Sequence, residues 1–361
     1  MANLEEKMKN SKKITLVFLN GISNAGGAER MTFYLYQYFN FKGYDVEILD
    51  EKKLKNTFLG KLYWKLFKIK RFEKRRLKYI ARFATAYLWL TSANRMIISN
   101  GEPTAYYPTD VVISHGCNHK MELDYGKTDN QFTRTSKLQK KACENAKKII
   151  AVAESVKNDL INFYKINDTK ITVIPNCIDT QYFYPISREK PNFKTIVYIG
   201  RLEIGKGLKE LVELSKMVES KVDWKLIIVS NNSINTEIFD HLRNTEILVD
   251  IDVDKINELG YSKADMVYYP SHSESFGMVT IEALSSGRPI VGNSVGILPE
   301  LVNQKFPGTY LLPKEENDNL LNFLYNCIID SEKFTAEEIH QRAKKQFSID
   351  AYFKDLDAFF A

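Results

Sequence analysis

"KTIVYIGRLEIGKGLKELVELSKMV", Lys194–Val218, decides the fold. An apolar run ends on Gly200-Arg201, a short glycine-bearing loop follows, and a helical segment opens at Lys206-Gly207. This is strand, loop, helix. The order recurs earlier in the chain. "KKITLVFLN" (12–20) runs into "GISNAGGAER", and the next segment carries Met31, Leu35, Tyr38 and Phe39 at helical spacing, with Gly43 as its stop. "YDVEILD" supplies the next strand, so the chain opens as a βαβ unit, which implies a parallel sheet with helices on its faces.

Working outward, "RMIIS", "DVVISHG", "KKIIAVA" and "KITVIPN" continue the first series, and "WKLIIVS", "TEILVDI", "ADMVYYP" and "RPIVGNS" continue the second. Two α/β units follow, with the change-over near "NCIDTQYFYPISREKPNF" (176–193) and an amphipathic terminal helix in "FSIDAYFKDLDAFFA". At 361 residues the chain is long for one core and comfortable for two. Ligands of open parallel sheets bind at the carboxyl ends of the strands. The loops to watch are therefore "SNAGGAER", "SHGCNH", "GRLEIGKG" and "SHSESFGM".

The first ten residues are charged and lack the apolar stretch of a signal peptide. No run reaches the roughly 20 apolar residues of a spanning helix. Cys117, Cys143, Cys177 and Cys327 show no paired or metal-like spacing. The expectation is a cytoplasmic protein with reduced thiols.

Arg201 and Lys206 flank a helix start, where two cations and free backbone N–H groups suit a diphosphate. Two exposed basic residues in one loop are also common without function. The Gly26-Gly27 loop lacks the full G-x-G-x-x-G fingerprint. Glu274 precedes a Phe276-Gly277 turn, and Glu282 falls near the beginning of "VTIEALSS", which Gly287 closes. Acids at a helix start can simply complement its dipole. Beside two cations they suit a nucleotide-sugar, because a carboxylate accepts hydrogen bonds from vicinal sugar hydroxyls and repels phosphate.

"YIGRLEIGKG" and "PSHSESFGMVTIEALSSGRPIV", in that order and spacing, resemble the retaining glycosyltransferases of family four, with their Glu-x7-Glu pair here at Glu274 and Glu282. "GGAER", "VVISHG" and "AKKIIAVAESVKNDLINFYKINDTKITVIPNCIDTQYFYP" extend the likeness over most of residues 12–301. The resemblance implies an α/β GT-B fold: two Rossmann-like domains facing each other across a cleft, with a C-terminal helix crossing back. Residues 1–180 would be an acceptor-binding domain, completed by a returning helix at about 346–361, and 181–345 the nucleotide-sugar-binding domain.

It also implies roles. Arg201 and Lys206 would neutralise the diphosphate, Glu282 would bind the ribose and Glu274 the transferred sugar. Backbone N–H groups of Phe276, Gly277, Met278 and Val279 would meet sugar or phosphate, and Gly26 and Gly27 would approach the same diphosphate. His115 matches the family's active-site histidine near the donor sugar. No cofactor and no metal are expected: the nucleoside-diphosphate sugar is a donor substrate, and no Asp-x-Asp stands where it would anchor a metal. Cys177 replaces the family's usual glycine, and "IIVSNNS" and "VDIDVDKI" lack customary glycines, which leaves the nucleotide base open.

Residues 52–82 hold 13 Lys and Arg against the single acid Glu73, while the rest of the chain carries 38 against 44. Within it, Leu62, Leu66 and Ile69 form one helical stripe and Lys61, Lys65, Lys68 and Arg75 another, with Trp64 and Phe67 beside them. Such a segment suits an anionic membrane surface, where a lipid-linked acceptor would be presented. It equally suits a helix packed on its own domain with solvated lysines. No nucleic-acid module accompanies the charge, so nucleic acid is not expected as a partner. The rival to an enzyme is a non-catalytic GT-B partner subunit that binds sugar or protein.

Overall fold

The computed structural model describes residues 13–22, 27–58, 60–61, 65, 76–126, 131–189, 191–313 and 319–361. Gly26 lies outside them. So does most of the basic stripe, including Leu62, Trp64, Leu66, Phe67, Lys68, Ile69 and Arg75. The chain divides into one unit of residues 1–175 with 353–361 and a second of 176–352.

The first unit is built on β1 (Lys13–Val17), β2 (Asp45–Leu49), β3 (Met96–Asn100), β4 (Val111–Ser114), β5 (Lys148–Ala151) and β6 (Ile171–Val173), in the order β2-β1-β3-β4-β5-β6. Every pairing is parallel. Strands covered on both faces read as unbroken apolar runs rather than alternating ones. β3 and β4 are buried at every position. The helix Gly27–Phe41 packs Met31, Leu35, Tyr38 and Phe39 inward. It stops where the sequence says: Gly43 takes φ +78°, the Gly43 amide bonds Asn40 and the Tyr44 amide bonds Phe39. The tail of the terminal helix Ile349–Phe360 closes this unit, with Tyr38 donating to Asp357 at 2.8 Å, Phe353 edge-on to the Tyr38 ring and Phe360 stacked on it.

The second unit holds β7 (Lys194–Ile199), β8 (Trp224–Ser230), β9 (Thr245–Val249), β10 (Met266–Tyr269), β11 (Ile290–Gly292) and β12 (Thr309–Leu311), ordered β12-β11-β10-β7-β8-β9 and again all parallel. Ile196, Tyr198, Leu226, Ile228 and Tyr268 from the sheet pack on Leu211, Leu214 and Val218 of the helix Leu208–Glu219. The two sheets form the expected α/β GT-B architecture. The four cysteines are buried, and none forms a disulfide. Among the described residues no helix is long and apolar enough to cross a membrane.

Strand order locates the sites. In the second sheet the connections leave β7 on one side toward β8 and later return on its other side at β10. The crevice at such a reversal, beyond the carboxyl ends of the two strands, is where open sheets hold ligands. The loops there are those after Ile199 and after Tyr269. In the first sheet the reversal lies between β1 and β3, which puts Asn100, the last residue of β3, at the corresponding position.

Candidate active site

In the second unit the loop after β7 is fastened from inside. The buried Tyr198 hydroxyl lies 2.7 Å from the Arg201 carbonyl and 3.3 Å from that of Lys206, so one side chain spans both ends of the loop. Burial raises the Tyr198 phenol, and Glu274 adds to the rise, so it stays protonated as a donor. Gly207 sits at φ +82°, and a Cβ there would meet the Pro270 carbonyl at 2.5 Å. The left-handed conformation and the close approach of Pro270 both demand glycine. The neighbouring loop is tied to this one directly: the His272 amide donates to the Gly205 carbonyl at 3.1 Å.

That fastening brings Lys206 and Glu274 together. Lys206 Nζ lies 2.6 Å from Glu274 Oε1, both side chains less than a fifth exposed, and Ser271 Oγ is 3.0 Å from the same oxygen. Arg201 is exposed and pairs with Glu203 at 3.2 Å. The amides of Lys206, Gly207 and Leu208 are bonded to carbonyls of Glu203 and Ile204 in the turn that opens the helix Leu208–Glu219, so these three are not free for an anion.

Free amides occur one loop further on. Gly277 caps the helix Met278–Ser285 at φ +83°, with Tyr269 Oη 2.6 Å from where a Cβ would stand. The amides of Gly277, Met278 and Val279 make no hydrogen bond among the described residues. An anion or a sugar hydroxyl placed there meets the positive end of the helix. Phe276 contributes backbone alone, because its ring is buried against Phe347. Its carbonyl accepts from the Ile297 amide at 2.8 Å. Glu282 is in the helix's second turn rather than at its start; it is 8% exposed and accepts from the Tyr261 hydroxyl at 2.8 Å.

In the first unit Gly27 is the first residue of its helix. His115 follows β4, and its Nε2 lies 3.0 Å from Asn100 Oδ1. Desolvation pushes its pKa down to about 4 against a smaller opposing pull from Glu29, so the ring is neutral at pH 7. Sequence reasoning missed Asn100, Tyr198, Tyr261 and Ser271, each of which holds a predicted residue. The signal for Asn100 was faint: a polar residue ending an otherwise apolar strand.

The comparisons with known proteins follow this division. Residues 25–182 match the family model "Glycosyltransferase Family 4", and residues 183–346 match "Glycosyl transferases group 1". The chain belongs to the glycosyltransferase group 1/family 4 superfamily. An uncharacterized glycosyltransferase of Methanocaldococcus jannaschii is 29% identical over 184 residues, 46% of this chain and 47% of that protein. The phosphatidylinositol N-acetylglucosaminyltransferase gpi3 subunit of Schizosaccharomyces pombe is 24% identical over 237 residues, 62% of this chain and 50% of the other. The chain thus spans about half the length of the curated relatives it matches. Among solved structures, the sucrose-phosphate synthase of Thermosynechococcus elongatus superposes with a TM-score of 0.74 at 18% identity, covering 96% of this chain and 98% of that one. Anabaena HepE in complex with UDP-glucose gives 0.66 at 18%, covering 96% and 98%. At such identities these two likenesses speak for the fold.

Proposed function

We propose that the chain is a retaining glycosyltransferase. It moves a hexose-type sugar from a nucleoside-diphosphate sugar, with UDP-sugars favoured, to a glycan or lipid-linked acceptor in cell-surface polysaccharide or glycolipid synthesis. The observation that carries the reading is the Lys206–Glu274 pair at the β7/β10 reversal, beside the unbonded amides of Gly277, Met278 and Val279. The UDP preference is supported by the bound donor of HepE, and the lipid-linked acceptor by the phosphatidylinositol in the yeast relative's name.

Donor binding would exchange partners. The diphosphate takes over Lys206 from Glu274 and draws in the exposed Arg201, while Glu274 turns to hydroxyls of the sugar and Glu282 to those of the ribose. The bond from the anomeric carbon to the diphosphate oxygen then breaks with its electron pair, which Arg201 and Lys206 neutralise as it departs. The oxocarbenium-like sugar is attacked on the same face by the acceptor hydroxyl, whose proton passes to the departing phosphate oxygen. With two cations on the leaving group, the step needs no divalent metal, and activity in excess chelator checks this.

The protein would work in the cytoplasm at the inner membrane face, with residues 52–82 against anionic lipid. Flotation with vesicles containing and lacking anionic lipid tests that contact, and failure to bind at any ionic strength removes it. The donor site itself is tested by a thermal-shift screen of UDP, GDP, ADP and dTDP sugars. A nucleotide that stabilises the wild type and fails to stabilise Arg201→Ala supports the reading; one that stabilises both equally overturns it.

A further inference from the structure

The register of the first sheet sets Asn100, the last residue of β3, opposite Ile113. His115 stands two residues beyond Ile113, so it leaves β4 on the same face. The hydrogen bonds around these residues form one chain, whose direction follows from how the Asn100 amide is oriented. The Thr32 hydroxyl donates to the Ala28 carbonyl at 2.8 Å, as expected of a threonine one turn along a helix. With that hydrogen committed, its oxygen accepts from Asn100 Nδ2, which lies 2.5 Å away. This orients the Asn100 amide and turns its Oδ1 to His115 Nε2, at 3.0 Å. A carbonyl oxygen cannot donate, so Nε2 carries the hydrogen and Nδ1 carries a lone pair. Thr32 and Asn100 are 3% and 9% exposed, so water does not offer them easy alternatives.

We propose that Thr32 and Asn100 are positioning residues: they lock His115 as its Nε2–H tautomer, so that Nδ1 accepts a hydrogen bond from a hydroxyl of the bound sugar. His115 then neither gives nor takes a proton in the reaction. The inference rests on the reading of His115 as a sugar-facing residue. The lock itself belongs to the ligand-free protein and can be measured without substrate. The charged group acting on the ring is Glu29, on the helix Gly27–Phe41.

Nitrogen-15 histidine spectra of the full chain at pH 7 test the lock, with His115→Gln assigning the signal. The Nε2–H form is expected in the wild type, with loss of that preference in Asn100→Leu. An Nδ1–H form in the wild type overturns the proposal. Turnover of a stabilising nucleotide-sugar tests the role. Asn100→Leu should lower kcat about tenfold, the worth of one well-placed hydrogen bond, with KM nearly unchanged. Thr32→Val should lower kcat several-fold and Thr32→Ser should restore it; equal loss in both overturns the relay. Asn100→Asp should raise the His115 pKa by roughly one to three units, so that activity falls on acidification where the wild type is flat. Wild-type turnover in Asn100→Leu despite the Nε2–H form overturns the positioning role. Failure of every nucleotide to bind the wild type falls on the donor-site reading, and takes the sugar half of this proposal with it.

Discussion

The two strand-order reversals of this chain are built from opposite materials. At the β7/β10 end the groups are charged: Arg201, Lys206 and Glu274 in adjoining loops, with Lys206 and Glu274 neutralising each other at 2.6 Å. At the β1/β3 end the bonded groups are neutral, an uncharged imidazole, an amide and a hydroxyl in one chain of hydrogen bonds, with the Glu29 carboxylate acting on the ring only through its charge. A charged pair can exchange partners when an anion arrives, because each member keeps a favourable interaction before and after. A neutral network whose protons are all committed cannot rearrange without leaving a buried donor or acceptor unpaired, and so it holds shape. The charged end is suited to receive a diphosphate, and the neutral end to present one acceptor atom in a fixed direction.

This contrast can be broken at several points. The largest effect is expected from Lys206→Ala: turnover should fall about 10²- to 10³-fold, the usual consequence of removing one group aimed at developing charge. Transfer or donor-hydrolysis rates check it, with circular dichroism confirming the fold. Glu274→Gln sharpens the comparison, because it frees Lys206 while removing the sugar contact. Turnover should fall at least about tenfold, since bonds to charged groups are worth roughly 1.5–3 kcal/mol. Affinity for the nucleoside diphosphate alone should stay equal or tighten, and calorimetry separates the two readouts. Glu282→Ala should act the other way, weakening nucleotide binding more than turnover.

Smaller effects concern stability. Gly277→Ala forces a side chain into φ +83° and against Tyr269 Oη, and should cost about 1–3 kcal/mol in urea unfolding. Tyr198→Phe removes the hydroxyl that spans Gly200–Gly207 and should cost about 1 kcal/mol. At the neutral end, His115 is held below its ordinary value of 6.5, at about 4. The unfolded chain therefore takes up a proton before the folded one does. The stability associated with a neutral His115 is complete above pH 6.5 and drains away as pH falls toward 4. The melting temperature of His115→Gln should drop less than that of the wild type over this window.

Much of this was legible in the sequence. The strand-loop-helix reading of 194–218 and the Gly43 and Gly287 helix stops follow from local pattern, because glycine and apolar period act over a few residues. That the Lys206 and Glu274 loops lie side by side follows instead from the rule that loops gather at the carboxyl ends of parallel strands and from the family likeness. β12, Thr309–Leu311, was not singled out, since three residues carry too little period to register. The helix Arg76–Thr91 was obscured by charge. The sequence of 52–82 reads as one basic segment, whereas Ile80, Ala84 and Leu88 pack as an ordinary core-facing stripe. Backbone amides were expected both at the helix following Lys206 and at Phe276–Val279. A 3-10 turn, a matter of backbone detail, consumes those of Lys206, Gly207 and Leu208, whereas those of Gly277, Met278 and Val279 make no hydrogen bond among the described residues. Asn100 and Thr32 were out of reach for another reason. They are 68 residues apart and act on His115 only through the sheet register.

The central claim is that the paired loops 200–207 and 270–277 hold a nucleoside diphosphate. Calorimetric titration of UDP, and of GDP and ADP in turn, into wild type and Lys206→Ala tests it most directly. The account predicts binding of at least one of these to the wild type and at least about tenfold weaker binding to the folded variant, the loss of one charge-assisted contact. Equal affinity in the two proteins would contradict it.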